Sequence, residues 1–370
     1  MRPTRAIINL AALRHNVKQI RRHLPESTRF IAVVKANAYG HGAIPVSRVA
    51  LSAGADWLAV AIPEEAVELR AAGFHAPILV LGMSLPEQSA MFADYGLIAA
   101  VGSLASLDAF DLVGKKKDNR VRVMIKLDTG MGRVGLQPAE AVQFVEQALS
   151  RSGIEVCGLF THFAAADEAD SSFTHRQLAC LQQIIQELRS KGLSLPLLSA
   201  ANSAATDAFP ASHFDAVRPG IILYGLPPAP DMPLQIDLQP VMSLVTRIVH
   251  LKQVPADTPV SYGCTHRTSR PTWLATLPVG YADGYSRHLS NKGFVLVNGI
   301  RRPVVGRVCM DQTVIDLGPE CDAAVGDEAV LFGRQGQAEI SLTELAGLAG
   351  TINYELACAI SPRVPRVYVE

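Results

Sequence analysis

Three things are scarce in this chain of 370 residues: paired cysteines, charge of one sign and long apolar runs. The six cysteines (Cys157, Cys180, Cys264, Cys309, Cys321 and Cys358) are scattered, with no CxxC and no Cys/His spacing of a zinc site. They read as reduced thiols, some in the core, and a disulfide scaffold is excluded. The 34 basic and 34 acidic residues cancel, which leaves no electrostatic case for a nucleic-acid or membrane-surface partner. Lys115-Lys116-Lys117, the densest charge run, reads as a solvated loop before a strand. No segment approaches the roughly eighteen apolar residues of a membrane span. The opening MRPTRAIINL holds only a short apolar stretch and no cleavage signal, so a cytoplasmic location is expected.

What is present is apolar material in short, regular doses. Hydrophobic residues make up 49% and charged residues 18%, as in a well-buried globular protein, and the length favours two domains. Candidate strands at 31–34, 57–62, 78–81, 98–101, 121–127, 154–161, 197–200 and 216–217 alternate with helix-like stretches. One helix is read at 64–72 and clearer ones at 138–150 and 173–191, with Gly73 and Gly192 just past two of them. Such alternation predicts a parallel sheet, and eight units in about 200 residues match a (β/α)8 TIM barrel. A doubly wound sheet is the alternative, weakened because no GxGxxG follows the first strand. A proline cluster, Leu226-Pro227-Pro228-Ala229-Pro230-Asp231-Met232-Pro233, then interrupts the pattern.

Beyond that cluster the chain favours strands, at 242–254, 273–278, 293–297, 302–308, 313–316 and 329–332, with one helix at 341–350. The division read from this is an α/β barrel domain over 1–233 and a C-terminal all-β domain over 234–370, with residues 1–10 possible partners of the second.

The run Phe30-Ile31-Ala32-Val33-Val34 ends on Lys35 and continues Ala36-Asn37-Ala38-Tyr39-Gly40-His41-Gly42. A short strand has no packing reason to end on an ammonium group. Burying one is costly, and desolvation drives it toward the neutral amine that attacks carbonyl carbon. Asn and two Gly then allow a turn where backbone can approach a ligand closely. Lys126, His162, Asn202, Ser203 and Arg218 also fall at or just past candidate strand ends. In a barrel those ends form the face that carries active sites.

The Lys35 block resembles the cofactor-lysine signature of the alanine racemases, which use pyridoxal 5′-phosphate (PLP). Further blocks follow in that family's order. They are Lys126-Leu127-Asp128-Thr129-Gly130-Met131-Gly132-Arg133-Val134-Gly135, Ser261-Tyr262-Gly263, Pro278-Val279-Gly280-Tyr281-Ala282-Asp283-Gly284, Arg307-Val308-Cys309-Met310-Asp311-Gln312, Asn353-Tyr354-Glu355 and Arg363-Val364-Pro365-Arg366. Each is weak alone; together, in order, they span most of the chain.

The resemblance implies an isomerase that interconverts L- and D-alanine with two bases, for peptidoglycan precursor supply or D-alanine breakdown. It makes Lys35 the covalent carrier of PLP and the base on the D-alanine side, and Tyr262 the base on the L-alanine side. A phenol ionises only in alkaline water, so a tyrosine base needs cationic neighbours, here Arg218 and His162. Arg218 would bond the cofactor's ring nitrogen and, staying charged itself, leave that nitrogen unprotonated and the carbanion short-lived. Tyr39, Asn202, Ser203, Gly220, Ile221 and Tyr354 match the phosphate contacts, and His162 the residue packed on the ring. Arg133 and Met310 match the substrate carboxylate contacts. Lys126 matches a carboxylated lysine, whose carbamate would face Arg133. Arg287, Arg307, Asp167, Ile352 and Asp311 correspond to the substrate entryway. In relatives the tyrosine reaches across to the partner's barrel, which implies a homodimer with shared sites. No metal is implied. Decarboxylases of basic amino acids, racemases of broader specificity and a PLP carrier protein share the barrel. The β domain that supplies Tyr262 argues against the carrier.

Overall fold

The computed structural model describes residues 2–370. Eight parallel strands close into a barrel: β2 (Arg29–Val33), β3 (Trp57–Val60), β4 (Ile78–Met83), β5 (Ile98–Val101), β6 (Val121–Lys126), β7 (Ile154–Phe160), β8 (Leu198–Ser199) and β9 (Ala216–Val217). β2 pairs with β3 on one side and β9 on the other, so the ring has no open edge. Every residue of β3 and of β5 is buried, because helices cover the outer face and side chains fill the inside. That is why these strands read as unbroken apolar runs.

The covering helices start where side chains cap free amides. Asn9 accepts from the Ala12 N–H at 2.9 Å to open Leu10–His23, and Asn202 accepts from the Ala205 N–H at 3.0 Å to open Ser203–Ala208. The Lys115 to Lys117 run departs from the expected loop. It forms the last turn of the helix Leu104–Lys117, where cations meet the negative end of the helix dipole. Lys115 there bonds Asp111 at 2.6 Å, one turn back.

β1 (Arg5–Asn9) lies outside the barrel, antiparallel to β10 (Met242–Arg247) and parallel to β20 (Arg366–Val369). Both chain ends are thus stitched into one sheet. The other strands are β11 (His250–Val254), β12 (Pro259–Val260), β13 (His266–Arg267), β14 (Thr272–Leu277), β15 (Phe294–Val297), β16 (Ile300–Pro303), β17 (Thr313–Gly318), β18 (Glu328–Gln335) and β19 (Ala338–Ile340). The large sheet runs β16-β15-β18-β10-β1-β20 with β19 on β18, beside a smaller sheet β11-β14-β17 and the pair β12-β13.

Two strands differ from the sequence reading. The run 242–254 is two strands in two sheets. The Ile248 N–H donates to the Asp327 carbonyl at 2.9 Å and the Val249 N–H to the Thr276 carbonyl at 3.0 Å, so the chain changes sheets between them. No Gly or Pro marks that step. The run 302–308 is also broken: β16 ends at Pro303, and the Val305 N–H donates instead to Val314. The helix expected at 341–350 is Leu342–Ala349, with Ser341 as N-cap and Gly350 in the left-handed conformation just past its end.

Candidate active site

Lys35, two residues past the end of β2, starts an unusual turn. Ala36, Asn37, Ala38 and Tyr39 all have positive φ, at 52°, 51°, 55° and 51°, which is one turn of left-handed helix. Each such residue costs about 1–2 kcal/mol, so the turn persists only because its surroundings hold it. Glu65 accepts from the Ala36 N–H at 2.6 Å and the Ala61 N–H at 2.8 Å. Asn37 accepts from the Ala43 N–H at 2.7 Å, and His41 Nδ1 lies 3.0 Å and 2.9 Å from the carbonyls of Ala38 and Tyr39. Gly40, at φ 80°, lies against the Ala357 carbonyl, where a Cβ would collide.

The turn delivers Lys35 to a cavity of about 470 Å³ at the carboxyl ends of the barrel strands. Tyr39, Lys126, Arg133, His162, Asn202, Ser203, Arg218, Gly220 and Tyr354 line it with Lys35, as do Asp167 and Ile352. Burial, with Arg133 second, lowers the Lys35 amine below its usual range. Burial, then Arg218, brings the Lys126 amine down to about 7, with Arg133 a smaller cause than the sequence alone suggests. Lys126 Nζ donates to the Leu127 carbonyl at 3.0 Å and lies 5.1 Å from the centre of the Phe160 ring.

Arg218 is wholly enclosed. Its guanidinium donates to the Thr161 carbonyl at 2.6 Å, the Ala200 carbonyl at 3.1 Å and the Ser199 hydroxyl, and lies 3.4 Å from His162 Nδ1. Burial lowers it to about 9, which leaves it a cation at neutral pH. His162 is held neutral by burial first and by Arg218 next. Among the described residues none of Lys35, Lys126, Arg133 and Arg218 is paired with a carboxylate within 4.0 Å. Ser203 Oγ accepts from the Gly220 N–H at 2.7 Å, and a Cβ on Gly220 would come within 2.5 Å of the Tyr39 hydroxyl oxygen. Ile221, next along, is wholly buried.

Tyr262 and Met310 are elsewhere. They line a separate pocket of about 340 Å³ with Arg287, Arg307, Asp311 and Tyr281. Tyr262 is 73% exposed, so in one chain its hydroxyl meets nothing of the Lys35 cavity. Ser261, before it, is fixed at φ 63° with its hydroxyl donating to the Arg307 carbonyl at 2.6 Å. Arg363 clasps Asp311 at 2.7 Å. The residues expected for one site therefore stand in two half-sites. Sequence reasoning missed Glu65, the Phe160 ring beneath Lys126 and Arg218, and Cys358, which lines the cavity beside Lys35. Only Phe160 carried a signal, as the last apolar residue of its strand.

A closed (β/α)8 barrel whose first barrel strand leads to a desolvated lysine, beside the buried cations Lys126 and Arg218, defines a lysine-centred barrel enzyme. Two family models cover the chain: "Alanine racemase, N-terminal domain" over residues 8–228 and "Alanine racemase, C-terminal domain" over residues 241–368. The alanine racemase of Halothermothrix orenii is 50% identical over 367 residues, 99% of this chain and 97% of that protein. That of Symbiobacterium thermophilum is 47% identical over 100% of this chain and 97% of that protein. The crystal structure of alanine racemase from Streptomyces lavendulae, a D-cycloserine producer, superposes with a TM-score of 0.96 at 38% identity, covering 100% of this chain and 98% of that one. The Bacillus anthracis alanine racemase with bound L-Ala-P gives 0.94 at 40% identity, covering 100% and 96%. This chain belongs to the alanine racemase family of isomerases.

Proposed function

We propose that the protein interconverts L- and D-alanine with pyridoxal 5′-phosphate as cofactor, in a homodimer whose sites combine residues of both chains. The observation that carries this is a cavity lined by four cations, of which Lys126 and Arg218 are buried, Lys35 is half-buried and Arg133 is exposed, none paired with a carboxylate among the described residues. Buried charge of one sign is costly until an anion joins it. A phosphate-bearing aldehyde fits that demand, with Lys35 to bind it and the Ser203, Gly220 and Tyr354 side of the cavity to hold its phosphate. When bound, PLP supplies the electron sink that makes a Cα proton removable.

The chain's own residues do the rest. Lys35 Nζ, desolvated, takes or returns the proton on the D face. Tyr262 of the partner subunit serves the L face, brought over the barrel mouth with Met310, whose backbone N–H would meet the substrate carboxylate beside Arg133. Arg218 keeps its protons and so leaves none for the ring nitrogen. Lys126, with its amine near 7, adds carbon dioxide and gives up a proton to solvent, and the carbamate becomes an anionic partner for Arg133. Asp167 and Ile352 on one chain, with Arg287, Arg307 and Asp311 on the other, form the entryway. The domains divide at 233/234, the protein works in the cytoplasm, and it supplies D-alanine for peptidoglycan or breaks D-alanine down. No described helix is long and apolar enough to cross a membrane.

Purified protein should be yellow and should convert either enantiomer in a coupled assay. Borohydride reduction followed by digestion should leave the phosphopyridoxyl tag on the peptide containing Lys35; a tag on any other lysine overturns the assignment.

A further inference from the structure

The lysine turn is held at both ends. Its far end is tied to the C-terminal half, where Arg366 donates to the Gly40 carbonyl at 3.0 Å and to the carbonyls of Ser361 at 2.6 Å and Val364 at 2.8 Å. Its near end, one peptide from Lys35, is held by Glu65 of the helix Pro63–Ala71. Glu65 Oε1 accepts from the Ala36 N–H at 2.6 Å, while Oε2 accepts from the N–H groups of Ala61 at 2.8 Å and Ile62 at 3.3 Å.

The two oxygens do different jobs. The bond from Ile62 is the one an acidic residue in the first turn of a helix accepts, and it caps Pro63–Ala71 without involving Lys35. The bond from Ala36 serves no helix cap. It grips the peptide that joins Lys35 to Ala36, and its acceptor is a half-buried carboxylate, which makes it a strong one. Holding that peptide fixes the direction in which the Lys35 side chain leaves the backbone. Without it, a long flexible side chain carries its amine through many rotamers. The Glu65 charge also opposes, in small part, the burial that lowers the Lys35 amine. Glu65 itself does not line the cavity, so it acts through Lys35.

We propose that Glu65 is a positioning residue for the reaction, which by gripping the Ala36 N–H aims the Lys35 amine at the D face of the substrate Cα. This rests on the reading of Lys35 as the cofactor lysine and D-side base. Glutamine separates the two jobs. Its carbonyl oxygen can cap Ala61 and Ile62 as glutamate does, but its NH2 then meets the Ala36 N–H donor to donor. The reverse arrangement would set that NH2 against two N–H groups instead of one. Glu65→Gln should therefore keep its helix and release the turn.

Lys35-Ala36 is the only Lys-Ala pair in the sequence, so PLP-loaded protein made with carbonyl-¹³C lysine and ¹⁵N alanine shows the Ala36 amide as a single NMR signal. In the parent that amide should exchange slowly with deuterated solvent although Ala36 is exposed, and in Glu65→Gln at least about tenfold faster. Kinetics supply a second readout. Enantiomers are equal in energy, so kcat/KM must fall by the same factor in both directions, about 10–100-fold for a misaimed base. The isotope effects should part. That of D-alanine deuterated at Cα should rise, because Lys35 takes that proton, and that of deuterated L-alanine should fall toward unity. A variant that merely contains less active protein keeps both at the parent values. Unchanged isotope effects, or an Ala36 amide that exchanges freely in the parent, would overturn the proposal. A borohydride tag on a lysine other than Lys35 would overturn the underlying reading, and the proposal with it. If Glu65→Gln does not fold, Glu65→Asp, too short to reach Ala36 and Ile62 together, should show the same divergence, and the parent amide is decisive without either variant.

Discussion

Lys126 shows how much one enclosed side chain can demand of its surroundings. Its amine falls from the ordinary 10.5 to about 7, chiefly through burial and then through Arg218. The unfolded chain holds that proton up to about pH 10.5, the folded chain only up to about 7, so this group's contribution to stability rises with pH across that window and is least below it. The neutral amine is also the form that adds carbon dioxide. With ¹³C-bicarbonate, a carbamate carbon resonance should grow as the pH is raised through 7 and fade below it, and Lys126→Met should show none. At the reacting centre, Lys35→Ala should abolish turnover and leave PLP bound without a covalent link, seen as cofactor still released on denaturation after borohydride reduction. Tyr262→Phe should lower kcat about 10²–10⁴-fold in both directions while the cofactor's absorbance stays intact.

At the scale of the element, the left-handed turn after Lys35 is where the fold is most exposed to a small change. Gly40→Ala adds a Cβ at φ 80° against the Ala357 backbone, so neither strain nor clash can be relieved by moving one side chain. It should cost about 1–3 kcal/mol, read as a lower thermal midpoint, with a weaker covalent PLP band because Lys35 moves with the turn.

That turn was not legible in the sequence. Ala-Asn-Ala-Tyr suits either hand of helix, and the groups that force the left hand, Glu65 and His41, act through space. The barrel strands were legible because burial on both faces makes them apolar throughout, as in β3 and β5. Position on those strands also made Lys126, His162, Asn202, Ser203 and Arg218 legible as neighbours, since a parallel barrel brings its strand ends to one face. The step between β10 and β11 was hidden, because Ile248 and Val249 suit either sheet equally well.

For the whole molecule, the distribution of the two proposed bases is decisive. Lys35 faces a cavity in the barrel, whereas Tyr262, 73% exposed, stands on the strand-rich half in another pocket. A single chain closed in this way holds one proposed base per pocket, so activity should fall with dilution if the proposed dimer separates. Mixing two inactive proteins tests this arrangement most directly. Lys35→Ala keeps its tyrosine and Tyr262→Phe keeps its lysine, so a mixed dimer has one intact site. After subunit exchange in equal amounts, random pairing predicts about a quarter of the parent activity from two preparations that each have almost none. If the exchanged mixture stays as inactive as its components, the two residues do not meet across chains and the account of a shared site is wrong.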